Sequence, residues 1–335
     1  MANKIKKAVF LTGAAARISQ EVALFDKLVE KKGLTISQDD TILAGFSSGS
    51  LNLLALNGCF RNNNPLSWEK DYKEGVLFPL KDSDVFTKKK EKGLHILNTD
   101  PLRKTLNGFL GKQGVSWVAD LPFQSYVMTF SYRRMKTQWV TNIAGEDNNL
   151  FLSDVFMAST AIPIVFPWQE IASKEGVKRD FPKGHFADGG TGGTFKRFED
   201  HFGTYLQEQG AIEDLYIISP MRQSGTAEKE DETIVQALKD GDFGDDLKDK
   251  LKDFASSISY KTFFKFLEEL QEWNAEHKLI GNVYVNIPRL PQNFGILDFN
   301  QEKEQYDAIC NWVDVNPNDF CVPLATFIKN NPEEK

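Results

Sequence analysis

The sequence predicts an α/β protein whose mainly parallel sheet is covered by helices on both faces. Two short apolar runs, over residues 8–12 and 41–44, have the length and composition of buried parallel strands. A segment with helical apolar spacing over residues 20–31 follows the first run, and an apolar helix over residues 50–59 follows the second. Because this alternation is the pattern of parallel βαβ units, we expect a three-layer α/β/α architecture.

The first strand has an alternative interpretation as part of a secretory signal peptide. Three lysines precede its apolar run, and the alanines at residues 14–16 resemble a cleavage site. However, Thr12 and Gly13 interrupt the run within a few residues. The sequence therefore favours a buried strand followed by a loop of small residues, and we expect a cytoplasmic protein, peripheral at most to a membrane, with secretion as the alternative.

The elements after residue 60 are predicted from local patterns. Pro101 suits the first position of a helix over residues 101–110, after Thr99 or Asp100 as N-cap. Residues 158–162 are expected to end another helix, because a proline follows. Three further strands are predicted from alternating or continuous apolar residues: 126–130, 139–142 and 215–219.

The last third of the sequence begins with charged residues and continues with helical patterns. Residues 222–253 are strongly charged, and apolar residues recur at helical spacing over 247–258. The aromatic residues Phe263, Phe264 and Phe266 continue this pattern. The spacing favours a packed core helix over a lid or a membrane-facing surface.

The composition is that of an ordinary globular protein and excludes several classes. Of the 335 residues, 41% are hydrophobic and 26% are charged, which excludes a disordered chain. The net charge of −7, without a long basic run, argues against a nucleic-acid-binding protein. No apolar run is long enough to span a membrane, and three cysteines are too few for a disulfide framework. We expect one domain over residues 1–335, with a core at about 5–220 and a helical C-terminal extension at about 222–335.

A G-x-S-x-G motif, formed by Gly45, Ser47 and Gly49, lies between the second predicted strand and the second predicted helix. A nucleophilic serine in this motif sits on a tight turn, where bulky neighbours would block both the turn and the substrate. The strand before it and the apolar helix after it are the context that such a nucleophile requires, although a plain glycine-rich turn is the alternative. Ser48 is the rival serine, but it lacks the flanking glycines.

The loop after the first strand, over residues 13–18, consists largely of small residues. Its successive backbone N–H groups suit a developing oxyanion. The loop matches neither the P-loop nor the dinucleotide-binding pattern. An ordinary strand–helix connection is the alternative interpretation.

Two more segments carry weaker signals. Asp188 is followed by Gly189 and Gly190, so it is either a carboxylate base beside a closely approaching backbone or part of a simple turn. Residues 158–168 read ASTAIPIVFPW and indicate no chemistry by themselves.

Together, these motifs resemble those of the patatin-like phospholipase family. The family carries, in this order, an oxyanion loop of the type GGGxR/KG, a G-x-S-x-G elbow, an ASxAxPxxFPP segment and a DGG or DGA motif. Counterparts stand in the same order in this chain at residues 13–18, 45–49, 158–168 and 188–190. Residues 98–103 also look like the TSPLR element of the family. The resemblance spans about residues 8–195 and implies a three-layer α/β/α fold.

The resemblance also implies a function and a role for particular residues. Ser47 would be the nucleophile and Asp188 the general base of a dyad that hydrolyses acyl esters of phospholipid, lysophospholipid or neutral glycerolipid through an acyl-serine intermediate. The backbone N–H groups of Gly13, Ala14 and Ala15 would form the oxyanion hole. A phospholipid substrate would require transient contact with a membrane surface, and no cofactor is implied. Supporting roles would fall to Arg17, Gly45, Gly49, Gly189 and Gly190.

Two alternative functions follow from features of this chain. Ala14 and Ala15 stand where the family has glycines, which suits a weakly active or inactive module that binds lipid or regulates another protein. The other alternative is a Ser-His-Asp α/β-hydrolase, in which His201 or His277 would act with Ser47.

An acidic cluster near residue 240 was considered as a calcium site. Gly244 stands at the third ligand position of an EF-hand loop, and Asp245 replaces the required glycine. We therefore expect a solvated acidic turn and no metal requirement.

Overall fold

The structure is a computed structural model that describes residues 5–88, 95–143, 145, 147–163, 165–174, 184–191, 198–221, 260–292 and 294–331. Its strands are β1 (Lys7–Leu11), β2 (Thr41–Gly45), β3 (Thr87–Lys88), β4 (Leu97–Asn98), β5 (Gln124–Ser131), β6 (Lys136–Thr141), β7 (Phe186–Asp188), β8 (Ile212–Ile218), β9 (Ile280–Asn286) and β10 (Val322–Pro323). Its α-helices are α1 (Ile18–Lys32), α2 (Ser48–Cys59), α3 (Asp82–Val85), α4 (Asp100–Gln113), α5 (Leu152–Ser159), α6 (Thr204–Gln209), α7 (Tyr260–His277), α8 (Glu302–Val315) and α9 (Leu324–Asn330). Two wider π-helical segments cover Trp68–Leu77 and Glu199–Gly203. The acidic cluster near residue 240 and the helical pattern over 247–258 lie outside the described residues.

The central sheet is mainly parallel, as the sequence predicts. Its strand order is β10-β9-β8-β1-β2-β5-β6, with β7 also paired to β5. The strands β9, β8, β1, β2 and β5 run parallel to their neighbours in this order, whereas β10, β6 and β7 pair antiparallel. The parallel pairing of β1 with β2 confirms the predicted βαβ unit.

Alternate residues of each central strand face two separate hydrophobic cores. In β1, Val9 and Leu11 belong to one core, while Ala8 and Phe10 belong to the other. The first core is covered by α1, α2, α4, α5 and α8, and the second by α6, α7 and α9. Helices therefore cover both faces of the sheet, which is the three-layer α/β fold that the sequence predicts.

The C-terminal part of the chain contributes to the sheet as well as to its helical layers. The strand β9 pairs with β8, and β10 adds an antiparallel edge. The strand β9 is not predicted from the sequence, because Gly281 and Asn282 interrupt its apolar run. In α7, Phe263, Phe264 and Phe266 are at most 3% exposed, which confirms their prediction as core residues and contradicts a lid.

The end of α5 lies within the predicted range, residues 158–162, but three residues before Ile162. The helix ends at Ser159, before the proline, and Ser159 then contacts the turn after β2. A second difference is at α4, where Thr99 occupies the N-cap position without a hydrogen bond from its side chain. Within the part of the chain that the structure describes, no helix combines the length and the apolar character needed to cross a bilayer.

Candidate active site

Ser47 occupies a sharp turn that joins β2 to α2. Its φ of 52° and ψ of −139° are unusual for a residue other than glycine. The residue is buried, with 8% exposure. The Ser47 N–H donates to the carbonyl oxygen of Ser159 at 3.1 Å and to its hydroxyl oxygen at 3.2 Å. A strained serine that two acceptors hold in place has the geometry of a nucleophile elbow.

The glycines on either side of Ser47 are required by close backbone contacts. A Cβ on Gly49 would lie 2.4 Å from the Leu11 carbonyl oxygen at the end of β1. A Cβ on Gly45 would lie 3.1 Å from the Gly49 carbonyl oxygen, across the turn itself. The G-x-S-x-G spacing therefore lets α2 start directly against the sheet, with Ser47 immediately before the first residue of the helix.

Asp188 lies close to Ser47 because its strand, β7, pairs with β5 just beyond the point where β2 ends. The strand β2 pairs with β5 as far as Gly45, which lies opposite Val127. Two residues further along β5, Thr129 pairs with Asp188 of β7, while β6 occupies the other side of β5. Ser47 is also two residues beyond Gly45, so β7 brings Asp188 beside the elbow at the point where β2 has ended.

The carboxyl group of Asp188 is buried, and only one of its two oxygens accepts a hydrogen bond from the described residues. Its Oδ1 accepts the Gly190 N–H at 2.9 Å. The Ser47 hydroxyl group lies close enough to this carboxyl group to lower its pKa. The two groups do not form a well-aligned hydrogen bond, because Oδ2 of Asp188 has no hydrogen-bond partner among the described residues. Burial has the larger effect and raises the pKa of Asp188 to about 7, while Ser47 and Gly190 oppose the rise.

The two glycines after Asp188 allow a tight approach to the sheet and the elbow. A Cβ on Gly189 would lie 2.5 Å from the Met128 carbonyl oxygen. A Cβ on Gly190 would lie 3.0 Å from the Phe46 ring. The structure therefore explains why glycines follow the carboxylate at both positions.

The loop after β1 packs directly onto the elbow. Gly13 has a φ of 65°, and a Cβ on it would lie 2.7 Å from both the Gly49 nitrogen and the Phe46 carbonyl oxygen. Ala14 donates its N–H to the Ser48 hydroxyl oxygen at 3.0 Å. The loop and the elbow predicted from the sequence are thus neighbours in space.

The N–H groups of this loop have three different environments. The Gly13 N–H donates to the Glu21 Oε1 at 2.6 Å, and the Ala14 N–H is engaged by Ser48. Ala15 has a φ of 50°, which strains an alanine, and its N–H has no acceptor among the described residues. Of the three predicted oxyanion donors, Ala15 is therefore the one with an unengaged N–H.

The side chain of Arg17 binds the segment before α8. It is 5% exposed, and its Nε and Nη2 both donate to the Phe294 carbonyl oxygen at 3.2 Å. The Ala16 N–H donates to the Ile296 carbonyl oxygen at 2.9 Å in the same region. These contacts attach the loop to the segment before α8, which is a structural role.

The two histidines considered for a catalytic triad are engaged elsewhere. His277 ends α7 just before β9 begins, at the sheet edge opposite the elbow, and its Nδ1 lies 2.9 Å from the Trp273 carbonyl oxygen. The His201 ring lies against Trp139, with 6.1 Å between ring centroids. No group of three potential metal-ligating side chains was found in the described ranges.

Two residues that contact the site are not predicted by the sequence motifs. Ser159 anchors the elbow, and Glu21 binds the loop. Glu21 carried a usable signal, because it stands at a helical spacing from Ile18 and Phe25 on the apolar face of α1. A carboxylate at such a position must have partners inside the protein.

The chain is similar to known proteins at two levels, a solved structure and a sequence family. The crystal structure of VipD from Legionella pneumophila is similar over 93% of this chain and 67% of that chain, with 11% sequence identity and a TM-score of 0.32, a likeness too distant to bear on function. No curated protein matches the chain. The family model for patatin-like phospholipases matches residues 37–195, which include β2, Ser47, α5 and Asp188. Residues 37–195 therefore match the sequence pattern of a patatin-like phospholipase domain.

Proposed function

We propose that the chain is a lipid acyl hydrolase of the phospholipase A or lysophospholipase type, with Ser47 as nucleophile and Asp188 as general base. The observation that carries this proposal is the convergence of a strained serine and a buried carboxyl group at the end of β2. They belong to separate segments that β5 holds side by side. The family match supports the substrate class, an acyl ester of a lipid.

The reaction would proceed through an acyl-serine intermediate. Asp188 takes the Ser47 hydroxyl proton at Oδ2 while Oγ attacks the ester carbonyl carbon. The tetrahedral anion collapses, the C–O bond to the leaving alcohol breaks, and Asp188 returns the proton to that alcohol. Water then attacks the acyl-serine with Asp188 again as base, which releases the fatty acid and restores Ser47.

Stabilisation of the anion would come from the loop after β1 and from the start of α2. The Ala15 N–H is the loop donor that needs no rearrangement, because no protein acceptor among the described residues engages it. The first turn of α2 adds N–H groups without intrahelical acceptors and the positive end of a helix dipole. Gly13 and Ala14 would then shape the loop, with their N–H groups already bound to Glu21 and Ser48.

The direct test is the hydrolysis of a short p-nitrophenyl acyl ester by the wild type, Ser47→Ala and Asp188→Asn. Loss of turnover in both variants, with unchanged folding, would support the dyad. Labelling of Ser47 by a serine-directed phosphonate would show the nucleophile independently of turnover. Persistent activity in Ser47→Ala would contradict the proposal.

A lipid-binding module without turnover is the second candidate. The observations that favour it are the engaged N–H groups of Gly13 and Ala14 and the strained φ of Ala15. It predicts stoichiometric retention of a lipid, with neither ester hydrolysis nor phosphonate labelling of Ser47. A phospholipid substrate would bring either version into transient contact with a membrane surface.

A further inference from the structure

A buried carboxyl group lies directly behind the loop after β1. Glu21, in the first turn of α1, is fully buried, and both of its oxygens are occupied. Its Oε1 accepts the Gly13 N–H at 2.6 Å, and its Oε2 accepts from the Asn52 Nδ2 at 2.8 Å. Glu21 therefore bridges the loop and α2, the helix that follows the elbow.

Asn52 is itself held in a single orientation. Its Oδ1 accepts a hydrogen bond from the Tyr72 hydroxyl, and its Nδ2 also donates to the Ile18 carbonyl oxygen at 3.1 Å. Because the Ile18 carbonyl oxygen can only accept a hydrogen bond, the amide nitrogen of Asn52 must lie on that side, and the same NH₂ group faces Glu21. A continuous chain of hydrogen bonds thus runs from Gly13 through Glu21 and Asn52 to Tyr72.

Because the loop and the elbow are in close contact, this series of hydrogen bonds affects the position of the loop. Gly13 packs so tightly that even a Cβ would approach the Gly49 nitrogen to 2.7 Å. Glu21 accepts a hydrogen bond from the Gly13 N–H with one oxygen and from Asn52 of α2 with the other. The position of the next residues of the loop, and of the Ala15 N–H among them, depends on that bridge.

We propose that Glu21 is a positioning residue for the acyl-transfer reaction, in which its carboxyl group joins Gly13 to Asn52 and so holds the Ala15 N–H at a fixed distance from the Ser47 hydroxyl. This inference rests on the proposed function. Glu21 itself touches neither the substrate nor Ser47.

The ionised form of Glu21 matches its surroundings better than the neutral form. Two N–H donors face its two oxygens, and a proton on either oxygen would oppose one of them. Burial nevertheless raises the pKa of Glu21 to about 8, against the effect of these hydrogen bonds. The other titratable groups in this region are Tyr72 on the π-helical segment and Glu302 on α8, both with raised pKa values caused mainly by burial. The bridge is therefore expected to tighten as the pH rises through about 8.

The first experiment compares Glu21→Gln with a matched control, Glu302→Gln. Glu302 is also a buried carboxyl with a pKa near 8, but it accepts the Ser19 N–H at 3.3 Å and has no contact with Gly13 or Asn52. Ester hydrolysis is measured as kcat for each active site labelled by phosphonate, so that misfolded protein does not count. We expect Glu21→Gln to lower kcat about 10- to 100-fold with little change in KM, since small displacements of catalytic groups have effects of this size. Glu302→Gln should retain the wild-type kcat.

A second variant separates positioning from stability. In Glu21→Gln, an amide NH₂ would face the Asn52 NH₂, so two donors would oppose each other. Adding Asn52→Asp supplies an acceptor there, while the new amide oxygen still accepts from Gly13. The double variant should recover part of the lost kcat although Asn52→Asp alone lowers it, a coupling that independent structural defects would not produce.

Hydrogen exchange over residues 12–16 provides a readout that does not require turnover. Glu21→Gln should exchange faster in this loop, whereas Glu302→Gln should not. A wild type that exchanges slowly there but hydrolyses no ester would overturn the positioning role together with the proposed function. An active wild type with unchanged kcat and exchange in Glu21→Gln would overturn the positioning role alone.

Discussion

Ser159 holds the nucleophilic turn through two atoms: its carbonyl oxygen and its hydroxyl oxygen both accept the Ser47 N–H, at 3.1 and 3.2 Å. The same hydroxyl donates to the Met128 carbonyl oxygen at 2.7 Å, and Ser159 is fully buried. The turn is thus tied to the end of α5 and, through Met128, to β5. Thr129 follows Met128 and pairs with Asp188. The contact from Ser159 to Met128 therefore connects the backbone that positions Ser47 with the backbone that positions Asp188.

Replacement of Ser159 by alanine should affect both stability and turnover. The variant leaves the Met128 carbonyl without its hydroxyl donor, which costs about 1–3 kcal/mol for a buried group. We also expect a lower kcat, because Ser47 loses one of its two acceptors. The matched control is Thr160→Val, since among the described residues the Thr160 hydroxyl bonds only to two carbonyls of α5, those of Phe156 and Met157. Urea unfolding and ester hydrolysis of both variants test this prediction, and equal effects would contradict it.

The activity should increase as the pH rises through about 7. Asp188 must be ionised to accept the Ser47 proton, and burial raises the pKa of this carboxyl to about 7. The dependence of kcat/KM on pH should therefore show an ionisation near 7 in the free enzyme. An acid limb near pH 4, typical of an exposed aspartate, would show that Asp188 is not the base.

The stability should change in the opposite direction over the same pH range. A carboxyl with a raised pKa in the folded state retains a proton that the unfolded chain has lost, so its contribution falls as the pH rises from about 4 to about 7. Asp188→Asn removes this ionisation and should be more stable than the wild type at pH 8. Urea unfolding at pH 5 and pH 8 measures the difference. A variant with the same loss of stability between these pH values as the wild type would refute the assignment.

Gly49→Ala should prevent the loop, sheet and elbow from packing as they do. The added Cβ would lie 2.4 Å from the Leu11 carbonyl oxygen, a backbone atom that cannot move away easily. The matched control is Gly108→Ala, inside α4, where nothing lies within 4 Å of the new Cβ. This control should gain about 0.5–1 kcal/mol of stability from helix propensity. Thermal unfolding of the two variants should therefore shift in opposite directions.

Substitution of His277 should leave turnover unchanged. The side chain lies at the sheet edge opposite Ser47 and stacks on Trp273, with ring centroids 4.8 Å apart. The same ester assay compares the His277→Gln variant with Asp188→Asn. Loss of activity in the histidine variant, with intact folding, would favour a catalytic triad instead.

Much of the fold could be predicted because its strands and first helices have strong local patterns. The strands β1 and β2 each contain a continuous apolar run, over residues 8–11 and 42–44, and the glycines around Ser47 mark a turn of known geometry. The region over residues 280–286 was missed, because its pairing with β8 depends on distant residues and its own pattern is interrupted. Tertiary contacts decide such a strand.

The candidate site was predictable in its residue types but not in its hydrogen bonds. The motif order pointed to Ser47, Asp188 and the loop at Gly13, and the structure brings these three segments together. The sequence could not show that Gly13 donates to Glu21, since that contact depends on how α1 turns after the loop. Motif letters specify the backbone that a site needs, whereas the partners of each N–H group are set by packing.

The change of partner along β5, from β2 to β7, has a consequence for the order in which the two proposed catalytic residues come together during folding. The βαβ unit that carries Ser47 is made of segments close in sequence, so it can form early with a small loss of chain entropy. Asp188 arrives only when β7 closes a long loop onto β5. A newly synthesised chain would therefore hold a shaped but unreactive serine until that last closure.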